Sequence, residues 1–178
     1  MKWTDWETIT VKGRDFAVMI EADESSMGAP WVEYDGHGIV SEWTSRDKRA
    51  GERILSQDRG SYRYYDVAAT MRKARAEGWD FNQPGSNGQR AARAVEKDFD
   101  YCERWARGDW YWAAIFVAPL IADDTPDPDN CDALGGVESF AWEEIARSMA
   151  EVMIAAERRE ATERAAALSM GIPTVGAR

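Results

Sequence analysis

Histidine and cysteine are scarce in this chain of 178 residues: there is one histidine, His37, and there are two cysteines, Cys102 and Cys131. That donor supply excludes zinc modules built on four cysteines, or on paired cysteines and paired histidines, and a tetrahedral zinc site would need carboxylate help. Neither a metal nor a cofactor is expected. Long apolar runs are missing too. The longest, "WYWAAIFVAPLIA" from Trp110 to Ala122, has 13 positions and contains Pro119. It is too short for a membrane helix and reads as a buried strand. The opening "MKWTDWETITVKGRDF" has no apolar stretch of the signal-peptide kind, so a soluble chain without a secretion signal is expected. The sequence also contains no G-x-x-x-x-G-K-[ST], G-x-G-x-x-G, G-x-S-x-G, H-E-x-x-H or C-x-x-C. These absences weigh against NTPase, dinucleotide-dependent, serine-hydrolase and zinc-protease chemistry.

What the chain does have is tryptophan and unevenly placed charge. Nine tryptophans supply large rigid surfaces that serve in cores and at binding hot spots alike. The net charge is −10: residues 1–44 carry nine acids and three bases, 45–108 ten acids and fourteen bases, and 109–178 thirteen acids and five bases. Such a chain is repelled by nucleic acid at long range, although its middle third can present a local basic face. Two cysteines in a chain without an export signal are expected to stay reduced.

Thr, Val, Ile and Phe flank Lys12-Gly13 in residues 7–23, the signature of a hairpin. Residues 31–43 read as two extended pieces joined at Asp35-Gly36-His37-Gly38, and 52–58 as a further strand before the turn "DRGS". Asp66 is placed to cap a helix over 67–77 that Gly78 ends. A second helix runs from the breaker "FNQPGSNG" to about Gly108, with Ala92, Val95, Phe99, Cys102 and Ala106 as its apolar stripe. The last helix begins near Ser139, with Trp142, Ile145, Met149, Val152 and Ala156 facing inward. Its end, 157–171, is a solvated protrusion or a docking surface. The whole reads as a single α+β domain over 1–178. Its antiparallel sheet, built from the N-terminal hairpin and central strands, is packed by three helices, the C-terminal one long.

Four groups of residues merit a functional reading. Asp35 or Glu33 is placed to orient His37 as a general base, with Ser41 as a conceivable nucleophile. The simpler alternative makes Gly36 and Gly38 a turn in which His37 caps the backbone or rests against Trp31 or Trp43, and this alternative is preferred. Arg90, Arg93, Lys97 and Arg104 share roughly a 60° sector of one helix; they make a phosphate-binding face or a plain solvated one. Asp123, Asp124, Asp127, Asp129 and Asp132 form an acidic loop without the glycine and terminal glutamate of an EF-hand. The loop reads as solvated, or as a patch that imitates the charge of DNA. Trp31 and Trp43, bracketing the histidine, are candidate binding anchors.

Three stretches, in order, carry a resemblance. The first is Asp35-Gly36-His37-Gly38 with Val40-Ser41 and Trp43-Thr44, leading to Arg46, Lys48, Gly51-Glu52 and Leu55. The second is "YRYYD" running into a helix that ends at Gly78-Trp79. The third is "DWYWAAIFV", followed by "LGGVES" and an acidic helix. Over about residues 31–157 the chain resembles a family of small uncharacterised proteins encoded by tailed bacteriophages. The resemblance implies action in the host cytoplasm and brings no catalytic residues with it. The preferred expectation is a non-enzymatic protein that inhibits or redirects a host factor, such as an immune or nucleic-acid-binding protein, through acidic and Trp-rich surfaces. The alternatives are a nucleic-acid or nucleotide binder using the basic helix face, and a small enzyme centred on His37. Oligomeric state is left open.

Overall fold

The computed structural model describes residues 3–25, 28–121 and 124–170. In chain order the elements are β1 (Glu7–Val11), β2 (Arg14–Ala22), α1 (Pro30–Glu33), β3 (Glu52–Asp58), β4 (Ser61–Asp66), α2 (Val67–Glu77), α3 (Asn87–Ala106), β5 (Trp112–Pro119), β6 (Asp132–Glu138) and α4 (Trp142–Ser169). The expected α+β class with antiparallel sheets is present, with four α-helices among the described residues where three were expected. The described residues fall into two compact units, one of 3–25 with 112–170 and the other of 28–111.

The first unit is a four-stranded antiparallel sheet in the order β1-β2-β5-β6, covered by α4. Its hairpin turns on Lys12 and Gly13, whose φ values of 51° and 78° are the left-handed pair a two-residue hairpin loop requires. β5 is central and nearly continuously apolar, as a strand buried on both faces must be. β6 escapes sequence reading because "DALGGVE" has neither alternation nor a β-branched run. It pairs with the edge of β5, and the side chain of Asp23 accepts the Gly136 N–H at 2.7 Å.

α4 starts at Trp142 rather than near Ser139, and its buried stripe is Ala146, Met149, Ala150 and Ile154. Val152, expected to face inward, is 65% exposed. The two alanines decide this register, since small side chains let the helix lie close over Phe16, Val18, Ile115 and Val117 of the sheet. Beyond Ile154 the helix continues to Ser169 with mostly exposed side chains. Its 28 residues extend about 42 Å at the usual rise. Alanine, glutamate and arginine propensity sustains this outer part, with help from the Glu160–Arg164 pair at 3.2 Å.

In the second unit the β3–β4 hairpin packs against α3 around Leu55, Tyr65, Ala74, Ala91, Val95, Phe99 and Cys102. Asp66 caps α2 by accepting the Ala69 N–H at 2.8 Å, and Gly78 closes it with φ of 69°. Ser86 and Gln89 form a reciprocal capping box at the start of α3; a side-chain cap of this kind contributes about 1 kcal/mol. Ala92 is exposed rather than inward, and Ala91 and Ala94 take its place. Residues 31–43 are not two extended pieces. Pro30 stands at the first position of the one-turn helix α1, where its fixed φ is already helical. Only Val40 and Thr44 bridge to a strand, opposite Tyr65 and Tyr62 of β4.

Candidate functional site

His37 lies at the centre of a polar cluster in the second unit. Its Nδ1 is 2.6 Å from Asp98 Oδ1, an aspartate on α3 sixty-one positions away. The other oxygen of Asp98 accepts the Gly38 N–H at 2.8 Å and the Tyr65 hydroxyl at 2.6 Å. A carboxylate that already accepts from two donors accepts a third from Nδ1–H. That places the lone pair of neutral imidazole on Nε2, for which no hydrogen bond is found among the described residues. The ring stacks on Tyr101 with centroids 5.1 Å apart and planes 10° from parallel, and Tyr101 in turn touches Trp110. Lys73 Nζ fastens the loop by donating to the backbone carbonyls of Asp35 and His37 at 2.7 and 2.8 Å.

The loop owes its path to one glycine. A Cβ on Gly38 would stand 2.4 Å from the Tyr65 hydroxyl oxygen, whereas one on Gly36 would meet nothing within 4 Å. Gly38 is therefore required by close approach, and Gly36 is not. The orienting acid is Asp98, in place of the Asp35 or Glu33 that local spacing suggested; Asp35 contributes its backbone carbonyl instead. Ser41 is engaged by backbone groups rather than by His37. Its hydroxyl donates to Glu42 O and accepts the Tyr64 N–H.

Cys102 completes the cluster. It is fully buried, one helical turn after Asp98, with Sγ 3.9 Å from Asp98 Oδ1 and 4.0 Å from His37 Nδ1. Burial, and then the negative charge of Asp98, push its thiol well above the usual range. The Tyr65 phenol is raised by burial and by its hydrogen bond to Asp98. Both groups keep their protons, so neither is a thiolate or phenolate nucleophile. The donor atoms of His37, Asp98 and Cys102 all lie within 4.8 Å of one another, the one such group found among the described residues. Beside them is a groove of about 480 Å³ lined by Gly36, Trp79, Lys97, Asp98 and Tyr101, among others.

The basic helix face is largely occupied within the chain. Arg90 donates to Gly85 O at 2.8 Å, Arg93 donates to Pro84 O, and Lys97 pairs with Asp80 at 3.0 Å. These three tie down the loop before α3, while Arg104 lies exposed near the helix end. Trp31 meets Trp105 edge to face at 5.3 Å, and the Arg63 guanidinium lies 4.8 Å from the ring of Trp43, which is 44% exposed. The ring on which His37 stacks is Tyr101, rather than the Trp31 or Trp43 that the sequence suggested.

In the acidic loop Asp123 lies outside the described residues. Asp127 turns inward as a cap, accepting from Asn130 Nδ2 at 2.6 Å and Asp129 N at 3.1 Å, and its carboxyl is lowered by these bonds. Asp124, Asp129 and Asp132 are exposed. The two units divide the charge sharply. Residues 1–26 and 112–178 hold 18 acids and 8 bases, hence the whole −10, whereas residues 27–111 hold 14 of each and are neutral.

Sequence spacing missed Asp98 and Cys102 as partners of His37. Their i, i+4 relation on a helix was legible, but not the loop that lands on them. No protein-family model, curated protein or solved structure matches the chain.

Proposed function

We propose that the chain is a phage-encoded, non-enzymatic protein that occupies a basic host factor through the acidic surface of its first unit. The observation that carries this reading is the segregation of charge, with the entire net −10 on the sheet-and-α4 unit and none on the other. That charge borders a groove of about 320 Å³ in which Val152, Met153 and Ala156 stand beside Asp132, Glu157 and Glu160. An apolar strip rimmed by carboxylates suits a basic amphipathic segment, because the strip supplies burial while the rim supplies steering and register. Glu157 also pairs with Arg14, which fixes one wall of the groove. Host nucleic-acid-binding proteins present such basic segments, and an acidic surface competes for them as a phosphate backbone does. The basic side chains Arg90, Arg93 and Lys97, by contrast, are engaged inside their own unit. No helix among the described residues is long and apolar enough to cross a membrane.

The test compares wild-type chain with a Val152→Asp/Asp132→Lys/Glu160→Lys variant, each immobilised against bacterial host lysate. The expected result is one host protein retained in stoichiometric amount by wild type, released by moderate salt and not retained by the variant. Retention of nothing by wild type at low salt, or equal retention by both, refutes the reading.

A second reading, general-base catalysis at His37, rests on the Asp98–His37 pair, which orients the ring as a catalytic base requires. It takes second place because Cys102 and Tyr65 keep their protons and Ser41 is held by backbone. Full biological effect of a His37→Gln variant would end it.

A further inference from the structure

We infer that His37, Asp98 and Cys102 form a binding site for a zinc-class divalent cation, with Nδ1, Oδ1 and Sγ as its three protein ligands. This goes beyond the binding reading above and stands or falls separately, since the site lies in the neutral unit.

A chain with one histidine and two cysteines needs a carboxylate to complete a borderline-soft donor set, and Asp98 is that carboxylate. It shares a face of α3 with Cys102 at i, i+4, the spacing by which one helix presents two ligands to one ion. The loop residue His37 closes the triangle, with all three donor atoms within 4.8 Å of one another.

The edges are Nδ1–Oδ1 2.6 Å, Sγ–Oδ1 3.9 Å and Sγ–Nδ1 4.0 Å. Tetrahedral zinc would set them at about 3.3 Å between nitrogen and oxygen and about 3.5 Å to sulfur, given ordinary bond lengths. The imidazole and carboxylate must part by roughly 0.7 Å and the sulfur close by a few tenths. The hydrogen bond between Nδ1 and Oδ1 thus marks where the ion enters: the cation takes the place of the proton between them. The thiol proton leaves to solvent, and the imidazole changes tautomer: it gives up its Nδ1 proton to solvent, takes one up from solvent at Nε2, and stays neutral as it binds through Nδ1. A coordinating cation deprotonates a thiol that burial otherwise keeps neutral.

The surroundings are those of a supported ligand set. Gly38 N and the Tyr65 hydroxyl fix the second oxygen of Asp98, and Tyr101 fixes the imidazole plane. Outer contacts of this kind hold ligands in the orientation a metal requires. Asp98 lines the groove beside Gly36 and Tyr101, which gives the ion an entry path.

The experiment titrates reduced, chelator-treated full-length chain with cobalt(II), then with zinc(II) as competitor. The expected result is a 1:1 end point, a near-ultraviolet thiolate-to-cobalt charge-transfer band, intense visible bands of tetrahedral cobalt, and loss of all of them on adding zinc. Cys131→Ser should leave the spectrum unchanged. Cys102→Ser should remove the charge-transfer band, and Asp98→Asn should weaken binding at least roughly tenfold. Absence of the band in wild type overturns the proposal, whether or not the variants fold. So does its persistence in Cys102→Ser or its loss in Cys131→Ser.

Discussion

Replacing Gly38 by alanine tests the cluster at its tightest point. The added Cβ would lie 2.4, 2.5 and 2.6 Å from the Oη, Cζ and Cε2 atoms of Tyr65, where ordinary contact begins at 3.4 Å. The tyrosine has little room to yield. It is fully buried, its hydroxyl is 2.6 Å from Asp98, and its ring meets Phe99 edge to face at 5.4 Å. Relief therefore needs a shift of about 1 Å in the loop or the ring, an overpacking strain of about 1–3 kcal/mol. Moving either one also stretches the hydrogen bonds to the Asp98 carboxylate, and each bond to a charged group contributes about 1.5–3 kcal/mol. A total near 3 kcal/mol is expected, which lowers the unfolding midpoint by roughly 10 °C for a chain of this size. Gly36→Ala is the control, since a Cβ there meets nothing within 4 Å and φ is not left-handed. It should be neutral or slightly stabilising. Urea and thermal unfolding followed by circular dichroism measure both. A Gly38→Ala cost below about 1 kcal/mol, or equal effects at the two glycines, would refute the close-approach argument.

Further outcomes follow from other contacts. Glu52 is held by two hydrogen bonds from Arg46 and one from Arg49 N, which lower its carboxyl to about 2. A lowered folded-state value means that its stabilisation is complete above the ordinary carboxylate range and is lost as pH falls through about 2. Glu52→Gln should cost about 2 kcal/mol at neutral pH and flatten the acid side of a stability–pH profile; an unchanged acid slope counts against the pairing. Ending the chain after Glu157 removes mostly exposed helix beyond the last buried position, Ile154. Thermal stability should therefore hold within about 0.5 kcal/mol while helical dichroism falls, and a large destabilisation would show that the outer helix packs somewhere. A thiol-reactive dye should label partly exposed Cys131 in the native chain and reach buried Cys102 only on unfolding, as peptide mapping after each step would show.

Local chemistry made several elements readable in the chain itself. Lys12-Gly13 and Arg59-Gly60 set two hairpins because both turn positions need positive φ, and Asp66 with Gly78 bounds α2 because its ends lack intrahelical partners. The long apolar run around β5 likewise signalled a buried strand. Elements whose stability comes from a neighbour were not readable. β6 has no pattern of its own, and α1 hides in a stretch that looks extended. The buried stripe of α4 depends on alanines that pattern counting passes over in favour of Val152.

The candidate site divides in the same way. Composition alone fixed the supply of donors at one imidazole and two thiols, and it fixed a net charge of −10. Only the tertiary structure chose Asp98 over Asp35 as the partner of His37, brought Cys102 beside them, and gathered the negative charge onto one unit. The reason is range. Turn and cap preferences act over a few residues and are written locally, whereas a contact across sixty-one positions exists only once β4, α2 and α3 have closed around a common core.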